Sequence, residues 1–391
     1  MTDAVQGPGR RRSIKAMNEQ LLMDHVRAGG QLSRAELAEL TGLSKPTVSA
    51  ALSTLTSAGL VRVSGHRVGV PGPSAKLYEF SPDAGHVLAL DVGHRYLRGA
   101  VCDLTGQPLA RCEVKAPAGG SRAAIRGLAK LSTELGRMAG VAHHAITQTV
   151  IGTPGIFDAG NDVIRLAGAL SGWGHPSVTQ ELRAEFGHNV MFENDVNASA
   201  LAEQALGHGR DVANFAFVSV GTGIGMGLIL DGKLHRGAHR VAGEIGFLPL
   251  DNDESTDERD ARRRGRLEAS ASAAGVVRAA RRAGMSGVIS AERVFAAASK
   301  GDARAEAVVA TEAIMVAKAI CSVVAVADPE LVVIGGGIGR ANGFADRVRS
   351  ELGKISPAMP DLRVSALGEG AVVDGCLAAG VVRAWSNVAR C

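Results

Sequence analysis

The amino-acid sequence predicts an α/β protein in two parts: a winged helix-turn-helix head over residues 1–80, then a two-lobed α/β body over residues 81–391. Three observations predict it. Residues 1–76 hold ten Lys/Arg against five Asp/Glu, whereas the rest of the chain's 43 basic and 39 acidic residues nearly balance. That is the charge placement of a small nucleic-acid-binding head on a neutral body. Short apolar-periodic segments bounded by Ser, Thr and Gly crowd the first sixty residues, as short capped helices do. Finally, the strand-turn-strand of HVLALDVGHRYLRGAVCDLTG returns about 130 residues later as FVSVGTGIGMGLIL, which suggests two related lobes facing a cleft.

In the head, residues 13–27 set Ile14, Met17, Leu21, Leu22 and Val26 at helical spacing on one face, and Gly29-Gly30 ends that helix. Ser33 and Glu36 make a capping-box pair, opening a second helix that stops at Thr41-Gly42. Ser44 caps a third, with Pro46 tolerated in its first turn. Val48, Leu52 and Leu55 form its buried stripe, so Ser44, Lys45, Thr47, Ser49 and Ser53 are left as a reading face of short or flexible donors suited to a major groove. LVRVSGHRVGVPGPSAKLYEF then reads as a hairpin wing that sets Arg62, His66 and Arg67 beside a phosphate backbone. The same pattern would serve a three-helix interaction module, and Arg10-Arg11-Arg12 would serve as a solvated tail. Spacing, capping, wing and charge together favour duplex DNA as the partner.

The chain of 391 residues has room for two or three domains. Its 46% apolar and 21% charged residues are ordinary for a globular protein, and the 3% aromatic share means cores of Ala, Val, Leu and Ile. The most apolar run, Ala313 to Ala327, carries Lys318 and is too short to span a bilayer, and no signal-peptide core follows the N-terminus. Five scattered cysteines without a CxxC pair fit a reduced cytoplasm. A cytoplasmic protein without a membrane partner is therefore expected.

In the body, Gly221-Thr222-Gly223-Ile224-Gly225 is a turn that leaves backbone N–H groups open to an oxyanion. It is not a P-loop, since no GK[ST] follows and the next element is a strand. ELVVIGGGIGRANGF reads as strand, turn and helix, but Arg340 stands at the third glycine position of a dinucleotide fingerprint.

Asp91-Val92-Gly93, Gly152 to Gly155, Glu193-Asn194-Asp195, Gly221 to Gly225, Ala242 to Gly246, Leu267 to Ser270 and Asp328 to Gly339 occur in the order of the ROK family, which the chain resembles over essentially its whole length. That family holds bacterial sugar kinases and sugar-responsive repressors on an actin-like, duplicated ribonuclease-H fold. The resemblance implies lobe one at about 84–205 plus a C-terminal helix 375–391, and lobe two at about 206–374. It also implies that Gly155, Asn194, Asp195, Glu244 and Glu268 face a sugar or related effector, with Asp195 matching the kinases' general base. Asn194 or Asp195 would equally well cap the following helix. Asp91 and Gly93, with Gly221, Thr222, Gly223 and Gly225, match the phosphate loops.

The departures are as informative. The family's zinc-binding histidine is Phe247 here, and its zinc cysteines align with Arg259, Ala261 and Arg266. None of these side chains is a zinc ligand, so neither the structural zinc nor any other cofactor is expected. The first phosphate turn continues as His94 and Arg95 where the kinases have Gly and Thr, and Ala169 replaces an asparagine before Leu170-Ser171-Gly172-Trp173. The glycine turns then read as inherited scaffold, with no catalytic residue unless Asp195 serves a kinase. The expectation is a DNA-binding regulator of repressor type, a homodimer or dimer of dimers, whose body senses a sugar. Its rivals are an active sugar kinase with a DNA-binding head and an effector-independent regulator that uses the body as a dimer scaffold.

Overall fold

The computed structural model describes residues 8–67, 75–167, 170–250 and 258–388. Helices Pro8–Gly29, Arg34–Thr41 and Lys45–Ser57 build the head, closed by a sheet in which Lys76–Phe80 lies between Leu32–Ser33 and Val61–His66. The capping box forms as expected: the Ser33 side chain accepts from Glu36 N, and Ser33 N donates to the Glu36 carboxylate at 2.9 Å. Val48, Leu52 and Leu55 are buried against Leu22, Met23, Val26 and Leu37. One expectation fails. Ile14, Met17 and Leu21 are exposed, because only the second half of the long first helix reaches the three-helix core. The wing's tip, residues 68–74, lies outside the described residues.

The body carries two five-stranded sheets of one design. In the first, His86–Val92, Tyr96–Asp103 and Pro108–Lys115 form an antiparallel meander, and Ile146–Thr153 then Val190–Asn194 add in parallel on the other side of His86–Val92. In the second, Phe215–Val220, Ile224–Leu230 and Lys233–Leu234 form the meander, and Leu331–Gly335 then Asp361–Val364 add in parallel. The repeat predicted from two similar hairpins is thus a repeat of the whole sheet. His86–Val92 and Leu331–Gly335 are buried at every residue, which is why residues 87–90 and 331–334 read as continuous rather than alternating apolar runs.

The long helix of the second lobe corrects another expectation. It runs Ala303–Ala327, long and apolar enough by length and composition to cross a membrane, but most of its apolar face is buried in that lobe's core. The helix begins ten residues before the apolar run does, because Asp302 caps it through Arg304 N and Ala305 N.

The last helix, Ala371–Val388, packs on the first-lobe sheet and on the helix Asp195–Leu206. Near its end, Trp385 donates from Nε1 to the Leu104 carbonyl at 3.1 Å, and its ring centre lies 4.5 Å from that of Phe80. Arg27 of the head sits 5.2 Å above the same ring. One residue thereby joins lobe one, the last helix and the head. Trp385→Ala is expected to cost about 3–5 kcal/mol in chemical unfolding, the range for emptying a buried large aromatic site, with Trp385→Phe losing clearly less.

Candidate functional site

Two sites emerge, one on the head and one between the lobes. On the head, the outer helix presents Lys45 and Ser53 fully to solvent, with Thr47 and Ser49 half-buried beside them. Ser44 Oγ accepts from Thr47 N at 3.3 Å and lies 2.8 Å from Thr47 Oγ1, so these two hydroxyls first fix the helix start. The wing arginines are held. Arg62 Nε donates to Glu79 at 2.8 Å, and that bond keeps the Glu79 carboxyl below its usual range. Arg67 pairs with Glu36 at 2.9 Å, a carboxyl already lowered mainly by its hydrogen bond from Ser33 N. His66 is exposed. Of the three long cations expected to meet DNA, only Lys45 is held by no acid among the described residues. The acids Glu36 and Glu79 were missed as partners because their contacts, 31 and 17 residues away in sequence, exist only once the wing folds back.

Between the lobes, the end of strand Val190–Asn194 opens a cleft lined by Glu193, Asn194, Asn197, Arg236, Arg240 and Glu244, with Phe157 and Met226 as apolar wall. Asn194 takes the capping role. Its Oδ1 caps the helix Asp195–Leu206 through Val196 N at 2.9 Å and Asn197 N at 3.0 Å, while its Nδ2 reaches the Gly155 carbonyl at 3.1 Å. Gly155 has φ 89°, and a Cβ there would lie 2.4 Å from the Arg165 carbonyl, so no other residue fits that turn.

Asp91, Asp195 and Glu244 converge across the cleft. Burial pushes Asp195 up to about 6. Burial, then the Asp195 charge, pushes Asp91 and Glu244 each up to about 7. Arg98, absent from every sequence motif, pulls Asp91 back only partly from 3.5 Å. Glu193 is buried, and it is saturated by Arg236 Nη2, Asn194 N and Asn197 Nδ2. Its place in the Glu193-Asn194-Asp195 run signals the site but not this role, and Arg236 and Arg240 carry no motif signal at all.

Glu268 Oε2 accepts from Ile224 N at 3.2 Å, in the second glycine turn, and its charge reaches Glu244, whose carboxyl it helps to push up after burial and Asp195. One backbone N–H of that turn is thus occupied by a carboxylate. That turn is tight throughout: a Cβ on Gly223 would lie 2.6 Å from Glu268, and one on Gly225 would lie 3.1 Å from Val196. Thr222 and Gly221 complete it, Gly221 N donating to the Gly223 carbonyl at 2.9 Å. In the first turn, Gly93 packs against the Tyr96 carbonyl, while His94 and Arg95 are exposed.

Nor do the residues present suit the zinc that the fold family implies. Phe247 has no lone pair to donate, Ala261 is a buried methyl, and the remaining aligned positions are arginines. Ala169 lies outside the described residues. Trp173, nearby, is buried and donates to Thr153 Oγ1 at 2.5 Å, which anchors the loop it ends.

The raised carboxyls make stability pH-dependent. An acid at about 7 when folded and about 4 when unfolded stays protonated in the fold while the unfolded chain releases its proton. Stability therefore falls as pH rises from about 4 to about 7. Asp91→Asn is expected to raise the calorimetric Tm by a few degrees at pH 8 and to leave it almost unchanged at pH 4.

With the geometry in place, comparison with known proteins is direct. A model described as Crp-like helix-turn-helix domain matches residues 19–75, and one described as ROK family matches residues 87–373. The xylose repressor of Bacillus subtilis is 29% identical over 250 residues, which are 61% of this chain and 62% of that repressor, so the match spans about three fifths of the repressor's length. The ROK hexokinase structure from Thermus thermophilus aligns with TM-score 0.66 and 29% identity over 76% of this chain and 98% of that one. A ROK family transcriptional regulator, a homologue of the E. coli MLC protein, shares the fold at TM-score 0.75 and 23% identity over 96% of this chain and 97% of its own. The body's duplicated sheets and the extent of the family match give one conclusion: this chain belongs to the ROK family.

Proposed function

We propose that the chain is a sequence-specific DNA-binding repressor of the cytoplasm, acting as a homodimer, whose cleft binds a sugar-like effector without transforming it. The observation that carries this reading is the joint at Trp385, where a head with an outward polar helix is packed onto the last helix, which in turn packs on the helix that borders the cleft. Asn194 and Asp195 open the helix Asp195–Leu206. That helix lies so close to the last one that a Cβ on Gly375 would fall 1.7 Å from the Ala198 carbonyl. Backbones in such contact move together. Lobe closure on an effector therefore shifts the last helix and, through Trp385, the head. In a dimer that displacement changes the spacing of two reading helices, which must sit one helical turn of DNA apart on a pseudo-palindromic site. The effector works by binding one head geometry better than the other.

One observation favours a second reading, an ATP-dependent sugar kinase carrying a DNA-binding head. Asp195, held at about 6, is suited to take a proton from a sugar hydroxyl. Against it stand the Glu268 carboxylate in the second glycine turn and the exposed His94-Arg95 in the first.

Binding to duplexes from the chain's own upstream region, read by fluorescence anisotropy, tests the first reading. Lys45→Ala is expected to weaken specific binding about 5- to 30-fold and non-specific binding far less. Arg67→Ala should weaken both and lower the salt slope by about 1. If both variants bind the specific duplex like the parent, the reading helix is misassigned. For the cleft, hexose-dependent ATP turnover that disappears in Asp195→Asn would establish the kinase instead.

A further inference from the structure

The loop from Arg236 to Gly243 crosses the mouth of the cleft with three residues in the left-handed region: Gly237 at φ 71°, Arg240 at φ 60° and Gly243 at φ 98°. At Gly243 glycine is obligatory, because a Cβ would lie 2.0 Å from the Met226 carbonyl. At Arg240 a side chain is accommodated, although glycine would suit the backbone better. A strained arginine at a pocket mouth points to a use for its side chain.

The charges of the lining show what that use is. Arg236 is neutralised by Glu193, whose oxygens also accept from Asn194 N and Asn197 Nδ2. The Arg236 Nε–H is nonetheless buried with no acceptor among the described residues. Arg240 lines the same cleft, and no carboxylate pairs with it among the described residues. Glu244, opposite, is only partly ionised at neutral pH because burial raises it. The cleft therefore holds an uncancelled cation and an unfilled buried donor side by side with hydroxyl-binding groups.

We propose that the effector is a sugar bearing an anionic group, a carboxylate or a phosphate, whose oxygens are taken by Arg240 and by the free Nε–H of Arg236, while Asn194 and Glu244 bind its hydroxyls. This rests on the reading of the cleft as a sugar-sensing site. An anion there fills the empty donor, and Arg supplies the planar, permanently charged partner that carboxylate and phosphate share.

Calorimetric titration of the full chain with D-glucose, D-glucuronate, D-glucose 6-phosphate, D-xylose and D-xylonate tests it. At least one anionic sugar is expected to bind about tenfold or more tighter than its neutral parent, a preference that shrinks as salt is added. The carboxylate and phosphate arms identify which anion is meant. Arg240→Gly, which the left-handed backbone favours and which therefore folds, is expected to abolish the preference of the anionic sugar over its neutral parent. Neutral sugars that bind as tightly as their anionic forms overturn the proposal and leave the sugar-sensing reading intact. So does a preference that survives Arg240→Gly. Failure of the whole panel to bind overturns both.

Discussion

The helix Ala371–Val388 has to fit between two surfaces that leave no room for side chains, and the rest of the architecture hangs on that fit. On one side, Gly375 lies against the Ala198 carbonyl; on the other, a Cβ on Gly380 would fall 2.3 Å from Val87 and 3.0 Å from Val150. Gly152 of the sheet yields in the same way to Val372 and Cys376. Interiors packed at this density do not deform gradually. The helix is thus a rigid spacer between the cleft-bordering helix Asp195–Leu206 and the Trp385 contact with the head.

The same helix starts at a charge junction. Glu369, immediately before it, pairs with Arg98 of lobe one at 3.2 Å and with Arg340 of lobe two at 2.7 Å. Glu369 is 67% exposed, so the pairs contribute little stability. What they do is register the two lobes at the root of the helix. Arg98 also leans on Asp91, so a carboxylate from a kinase-type phosphate turn is drawn into the interlobe contact.

Glu268 fills a backbone donor in one glycine turn, and the cation-bearing loop Arg236 to Gly243 lines the cleft beside Asn194 and Glu244. Three carboxyls raised together by burial form a site poised to respond when a ligand displaces its water or supplies its protons.

Local information was enough for the head and for the strands. Ser33 with Glu36, and Ser44 before Pro46, specify helix starts through contacts three residues apart, and a buried strand such as Leu331–Gly335 announces itself by unbroken apolarity. The repeated hairpin revealed the duplication, and the Glu193-Asn194-Asp195 run located the cleft. Tertiary structure alone decided which half of the first helix is buried, where Glu268 sends its carboxylate, which acids hold Arg62 and Arg67, that Arg98 reaches Asp91, and that Arg236 and Arg240 line the cleft. The reason is physical. Helix caps and periodicity depend on neighbours in the chain, whereas the partner of a long charged side chain is set by whichever distant segment folding brings within a few ångströms of it.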